Sequence, residues 1–170
     1  MHFSSSLYCL VLKYKRKRGM DMTEKSKDLF ELIHSAEAVT NEAIMRWNEE
    51  FEHPLGISPI LVLAELKRKG PQNSMKLAEG LHFTGGAMTN IGNKLVKLEL
   101  VERLAVEGDR RQTKLSITEA GERVLKEATQ LGRKHRLELF SILSEQEVEQ
   151  YLAINQKLLT VLRERKQGTK

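Results

Sequence analysis

Residues 101–121 read VERLAVEGDRRQTKLSITEAG. Two short stretches suited to extended backbone flank Glu107-Gly108-Asp109-Arg110, a composition that favours a tight hairpin turn. Basic residues crowd the tip, with Arg110 and Arg111 at the turn and Lys114 alternating outward from Leu115. Thr118 follows at once in the position of a helix cap. A basic hairpin that leads directly into a helix gains meaning from what precedes it, so the reading works outward from here.

Upstream, Thr84 opens a helix to about Glu99 whose apolar residues Met88, Ile91, Leu95 and Leu98 form one stripe, expected to be buried. Its opposite face carries Gly86, Thr89, Asn90, Asn93, Lys94 and Lys97. A shorter helix, capped by Asn73 or Ser74, runs through Leu81, and a tight link from Gly80 to Phe83 joins the pair. Before it, Ser58-Pro59 is read as cap and first helical residue of a helix with Ile60, Leu63 and Leu66 inward, closed by Lys67-Arg68-Lys69-Gly70-Pro71. A long helix is expected from Thr23 to about Phe51, with Leu29, Ile33, Ala36, Ala43, Trp47 and Phe51 at helical spacing. It must stop before His53-Pro54-Leu55-Gly56. Beyond the hairpin, one helix spans Thr118 to about Phe140. The capping box Ser144-Glu145-Gln146-Glu147 opens another, with Val148, Tyr151, Leu152, Leu158, Leu159 and Leu162 at helical spacing.

The fold expected is mainly α with a small β wing: a winged helix-turn-helix core over 58–118. It is flanked by N- and C-terminal helices, 20–57 and 119–170, whose wide apolar stripes would form a dimerisation base. Residues 1–19 are read as a basic tail outside the fold. Lys13, Lys15, Arg16, Lys17 and Arg18 follow a short apolar patch, the reverse of a secretory signal. That tail is an arm along DNA, a surface anchor, or an unstructured extension whose natural start is Met20 or Met22.

The formal charge of +5 is unevenly distributed. The tail contributes +5, the segment 58–118 contributes +4, and the helical flanks together contribute −4. Basic surface concentrated on one segment is the electrostatic footprint of a polyanion binder. A single cysteine, Cys9, excludes an internal disulfide framework and points to a reducing compartment. His34, His53, His82 and His135 show no paired spacing, so no metal and no cofactor is expected. Neither a Ser/His/Asp grouping nor a phosphate-binding glycine loop occurs, which argues against an enzyme.

These residues assign roles on duplex DNA. A helix fits the major groove and its first turns reach base edges. Asn90 and Asn93 can read adenine, Thr89 offers a methyl to thymine, and Lys94 reaches phosphate or guanine. Ser74, Lys76 and Thr84 join the contact set from the helix starts, while Gly85 and Gly86 let bare amides approach phosphate at the cost of a frayed first turn. In the wing, Arg110 and Lys114 contact phosphate, and an arginine at the tip can enter a narrow A·T-rich minor groove. Asp109 is suited to brace the tip against an arginine. A polar, solvated helix face and turn is the competing reading of each element, and a winged-helix protein–protein adaptor is the competing reading of the whole.

The combination Leu77-Ala78-Glu79 with Leu81, Thr84 through Leu100-Val101-Glu102-Arg103, Asp109-x-Arg111 and Leu115-x-Ile117-Thr118-x-x-Gly121 resembles the MarR family of bacterial transcriptional regulators over residues 23–165. The resemblance implies a cytoplasmic homodimer on a palindromic double-stranded DNA operator, with Arg111 in the minor groove and a small-molecule effector that releases DNA. Effector pockets of the family would fall near Trp47 and His53. Gly85-Gly86 departs from the arginine and bulky residue often found there, and the first long helix lacks the cysteine that some relatives use to sense oxidants.

Overall fold

The computed structural model describes residues 24–106 and 109–167, with side chains over 28–105 and 113–164. The tail 1–19 and the expected cap Thr23 lie outside the described residues. Among the described residues six helices and two strands follow in the order α1 (Glu24–Glu50), α2 (Ile57–Lys69), α3 (Ser74–Leu81), α4 (Gly85–Lys97), β1 (Val101–Val106), β2 (Asp109–Ile117), α5 (Glu119–Phe140) and α6 (Glu145–Gln167).

The chain divides into two units at Glu42/Ala43, within α1. The described part of the first unit is helical, with Ser35 and Thr40 hydroxyls returning hydrogen bonds to the carbonyls of Leu32 and Ala36. Its Leu29, Leu32 and Val39 are exposed. In the second unit the end of α1 is buried through Trp47 and Phe51, which stack with ring centroids 4.3 Å apart. One core joins them to Leu55, to Val62, Leu63 and Leu66 of α2, to Leu77 of α3, and to Met88 and Leu95 of α4. Leu100, Val101 and Leu115 close it beneath the hairpin, and Val124 and Ala128 close it from α5.

Local chemistry explains the helix ends. Gly56, not Ser58, occupies the cap of α2 and provides no side-chain bond, so Ser58 and Pro59 both fall in the first turn. Proline is tolerated there because the first N–H groups of a helix have no intrahelical acceptor in any case. Gly70, at φ 75°, closes α2 by donating to the Leu66 carbonyl. Asn73 settles the choice of cap for α3, accepting from Lys76 N at 2.9 Å. Thr84 caps α4 by accepting from Ala87 N at 3.2 Å, which holds the Gly85-Gly86 turn helical.

The ends of α3 and α4 use the same device with unexpected residues. His82 and Glu99 adopt left-handed φ values of 56° and 57°, positions usually given to glycine. Around each, two backbone bonds reach back into the last turn: His82 N to Glu79 O with Phe83 N to Ala78 O, and Glu99 N to Val96 O with Leu100 N to Leu95 O. This reversal turns Leu98 outward, to 37 % exposure, so the expected buried stripe of α4 ends at Leu95. Gly92 joins the buried face instead.

The strands pair antiparallel from Val101↔Ile117 through Ala105↔Thr113, after which the register shifts and Val106 faces Asp109. Residues 110–112 are therefore extra on β2, an irregularity of the kind that bends a hairpin tip. Gln72 makes a two-way backbone bridge with Leu115, at 3.1 and 2.7 Å, and so ties the α2–α3 link to β2.

At the base of the wing, Thr118 N donates to Leu100 O, and the Thr118 hydroxyl donates to Glu99 O at 2.8 Å while accepting from Gly121 N at 3.1 Å. A Cβ on Gly121 would lie 2.1 Å from Leu100 O and 2.8 Å from Ile117 Cγ1. Backbone occupies the space, so nothing larger than hydrogen fits. Gly121→Ala is accordingly expected to destabilise the protein by about 1–3 kcal/mol or more, the range for overpacking. Urea unfolding would register this as a lower midpoint, and an unchanged midpoint would show that α5 can start elsewhere.

Candidate nucleic-acid interface

Helices α3 and α4 and the wing place the expected contact residues as follows. Ser74 opens α3 half-buried, and Lys76 is exposed in the same turn with its backbone N–H already taken by Asn73. On α4, Thr84, Gly85, Gly86, Thr89, Asn90, Asn93 and Lys94 are all exposed. Apart from the local helix backbone and the adjoining residues, nothing among the described residues lies within 4 Å of where a Cβ on Gly85 or Gly86 would stand. Thr89 gives its hydroxyl proton to Gly85 O at 2.9 Å, leaving its methyl as the group free for an outside contact. Asn90 and Lys94 make no side-chain bond among the described residues. Lys114 is exposed on β2 beside buried Leu115, as alternation requires. Arg110, Arg111 and Asp109 lie on β2, and their side chains fall outside those described.

Pairing refines the picture of charge. At the end of α2, Lys67 meets Glu122 of α5 at 2.5 Å, while Arg68 and Lys69 both hold Glu65, at 2.7 and 2.5 Å. These three cations are all paired within the fold, with two carboxylates between them. Lys76, Lys94, Lys97 and Lys114 have no ion-pair partner among the described residues, and they stand on the helix pair and the wing. Net charge from sequence counts both groups alike, whereas the structure separates them.

One partner was not legible in sequence. Arg103 of β1 donates through Nη2 to Asn93 Oδ1 at 2.7 Å. The contact joins the wing to α4 across ten positions, and its only trace in the chain is two polar residues on neighbouring elements. Gly92 was missed too: a Cβ there would sit 3.3 Å from Leu115 Cδ1, so this glycine lets the wing lie close to α4.

The residues expected near an effector, Trp47 and His53, both make contacts within the fold. Trp47 is 5 % exposed and its Nε1 donates to Ala128 O at 3.2 Å, which makes it a core side chain with no spare donor. His53 is half-buried, its Nε2 2.8 Å from Glu127 Oε2 and its ring 5.0 Å from Phe51. No group of three metal-ligating side chains occurs among the described residues. No described helix is long and apolar enough to cross a membrane.

The profile of the MarR family matches residues 57–113, which covers α2 through the wing tip. The HTH-type transcriptional regulator MhqR of Bacillus subtilis (strain 168) is 33 % identical over 128 residues, 75 % of this chain and 87 % of that protein. The chain belongs to the MarR family. It is a transcriptional regulator with a DNA-binding winged helix, mostly helical with a two-stranded wing. Among solved structures, the regulator BldR from Sulfolobus solfataricus is 26 % identical, with a TM-score of 0.63 over 82 % of this chain and 99 % of its own. PcaV from Streptomyces coelicolor, solved in complex with its natural ligand, shares the fold at 15 % identity, with a TM-score of 0.61 over 75 % of this chain and 90 % of its own.

Two outcomes test this surface. Gly86→Ala fills open space in an exposed helical turn, so intrinsic propensity alone should raise stability by about 1 kcal/mol. If DNA approaches the bare backbone there, affinity for duplex falls in the same variant; unchanged affinity would leave Gly86 without a role in contact. The second concerns Glu65, whose carboxyl is held below the usual range by hydrogen bonds from Lys69 and then Arg68. A depressed carboxylate contributes stability above its unfolded pKa, near 4.5, and loses it as pH falls through the folded value. The stability advantage of the wild type over Glu65→Gln should thus be full at neutral pH and shrink in acid, which chemical denaturation at stepped pH would measure.

Proposed function

We propose that this regulator binds as a homodimer to a palindromic operator, with α4 in the major groove and the 106–113 wing in the minor groove. It acts as a repressor released by a small-molecule effector in the cytoplasm. The observation that carries the DNA reading is the separation of cations: those on α2 are paired internally, while Lys76, Lys94, Lys97 and Lys114 on the helix pair and wing have no ion-pair partner among the described residues. Free cations on one module attract phosphate and release its counterions. An adaptor surface has no use for that arrangement, so the adaptor reading is not favoured.

Side chains then divide the work. Asn90 reads base edges, Thr89 offers its methyl to thymine, and the amides of Thr84, Gly85 and Gly86 approach phosphate with Ser74 and Lys76. Arg111 enters the minor groove with Asp109 as its brace, and Arg110 and Lys114 hold phosphate on either side.

Dimerisation is supported by apolar side chains that the described chain leaves bare. Leu137 and Ile142 near the end of α5 are 63 % and 80 % exposed, and Tyr151, Leu152, Leu158 and Leu162 of α6 are each more than half exposed. So large an apolar surface marks an association site. In this reading 20–57 and 119–170 form the dimerisation region, and 58–118 the DNA-binding region. An effector bound near Trp47 and His53 would meet the His53–Glu127 pair, with Trp47 behind it in the core, and would act on the end of α1 and on α5 together.

Arg111→Ala is expected to weaken operator binding by about 1.5–3 kcal/mol, the range for a hydrogen bond to a charged group, with the mass of the dimer by light scattering unchanged. Equal affinity in that variant would remove Arg111 from the minor groove. The wild-type affinity should also fall steeply with added salt, and a salt-independent interaction would favour the adaptor.

A further inference from the structure

The Arg103–Asn93 contact joins the wing to the helix whose exposed face carries the base-reading asparagines, and it changes what one of them can offer. Arg103 stands opposite Leu115 in the ladder, and directly opposed residues share a face of the sheet. Leu115 is buried against Gly92, the residue before Asn93. The wing therefore lies on α4 at this point, and the Arg103 guanidinium meets Asn93 Oδ1 at 2.7 Å. A guanidinium has donors only, so the amide atom facing it must be oxygen. The Asn93 amino group, with two donors, is then left for an outside partner.

Bidentate recognition of adenine needs both ends of a carboxamide: the oxygen accepts from N6 and the amino group donates to N7. Asn90 has both ends free among the described residues. At Asn93 the guanidinium already takes one of the oxygen's two lone pairs, and an adenine amino group would have to approach the other beside that positive charge. An acceptor edge, guanine N7 and O6 or thymine O4, suits the exposed amino group instead.

We propose that Arg103 is a positioning residue for base recognition: by holding Asn93 Oδ1 it makes Asn93 a donor to an acceptor-rich base edge and leaves Asn90 as the adenine reader. The inference rests on the placement of α4 in the major groove. It assigns the two asparagines, which the sequence presents as equivalent, to different bases.

The experiment selects duplexes from a random-sequence pool with the wild-type protein. It then measures affinity for every single-base variant of the selected site with wild type, Asn93→Ala, Arg103→Ala, Arg103→Lys and the double variant Asn93→Ala/Arg103→Ala. Asn93→Ala should reduce discrimination at one base pair by about fivefold or more, within the range for a lost base contact. Arg103→Ala should move the preference at that same base pair toward adenine, with the other positions unchanged. Arg103→Lys, which keeps a donor for Oδ1, should hold the wild-type preference, and the double variant should match Asn93→Ala at that position. Partial unfolding of a variant lowers affinity for all sequences alike and cannot move a preference at one position. Uniform, additive losses from Arg103→Ala and Asn93→Ala with the wild-type preference intact would overturn this inference alone. Wild-type protein that binds all duplexes alike would overturn the groove placement, and this inference with it.

Discussion

The Leu100 carbonyl is the point on which the DNA-binding module turns. It accepts from Thr118 N, and it lies where a side chain at position 121 would have to stand. Three elements meet there: the end of α4, the first residues of β1 and the start of α5. Thr118 binds the corner twice more, through the Glu99 carbonyl and the Gly121 amide. Because the left-handed Glu99 has just reversed the chain, β1 leaves α4 in a direction set by backbone bonds rather than by loosely packed side chains. The pose of the wing beside α4 follows from this corner. Gly92 then lets Leu115 close the gap, and the Gln72–Leu115 bridge locks β2 to the link before α3.

That rigidity gives the charge pattern its meaning. Free lysines on separate elements bind one polyanion well only if the elements keep their spacing, since ordering them at the moment of binding would cost entropy. Here Lys76, Lys94 and Lys114 stand on α3, α4 and β2, and the core beneath those elements is continuous through Leu77, Met88, Leu95 and Leu115. The cations of α2 serve the fold instead, holding Glu65 and Glu122. The same residue type thus does two jobs on adjacent elements, paired on α2 and unpaired among the described residues on α3, α4 and β2.

Much of this was legible in the chain because it depends on short-range chemistry. Thr84, Thr118 and the Ser144–Glu147 box act as the caps their types and spacing imply, and the two extended stretches pair as a hairpin, although Asp109 and Arg110, expected in the turn, belong to β2. Errors arose where a local rule had competition. Ser58-Pro59 looks like a helix start, yet Gly56 takes the cap and α2 begins at Ile57. Leu98 keeps the helical spacing of its stripe but falls at the reversal, where spacing no longer sets the direction of a side chain. His82 and Glu99 occupy left-handed positions that no preference for glycine would find. Among the site residues, exposure of the α4 face followed from periodicity, and the pairing of Arg68 and Lys69 with Glu65, three and four positions earlier on one helix, obeys the same period; the Arg103–Asn93 bond is a tertiary fact without one. The long apolar stripe of α6 was legible as a stripe, and within one chain it is left bare.

The central claim is that two copies of this module grip one duplex through the α3–α4 face and the wing. Hydroxyl-radical footprinting on a duplex selected from a random pool tests it most directly. The account predicts two protected half-sites related by two-fold symmetry, with centres spaced by about one helical turn, ~10–10.5 bp, or a multiple of it, and with the flanking minor groove shielded where the wings enter. A single asymmetric patch, or no protection at concentrations that retard the duplex in a gel, would contradict it.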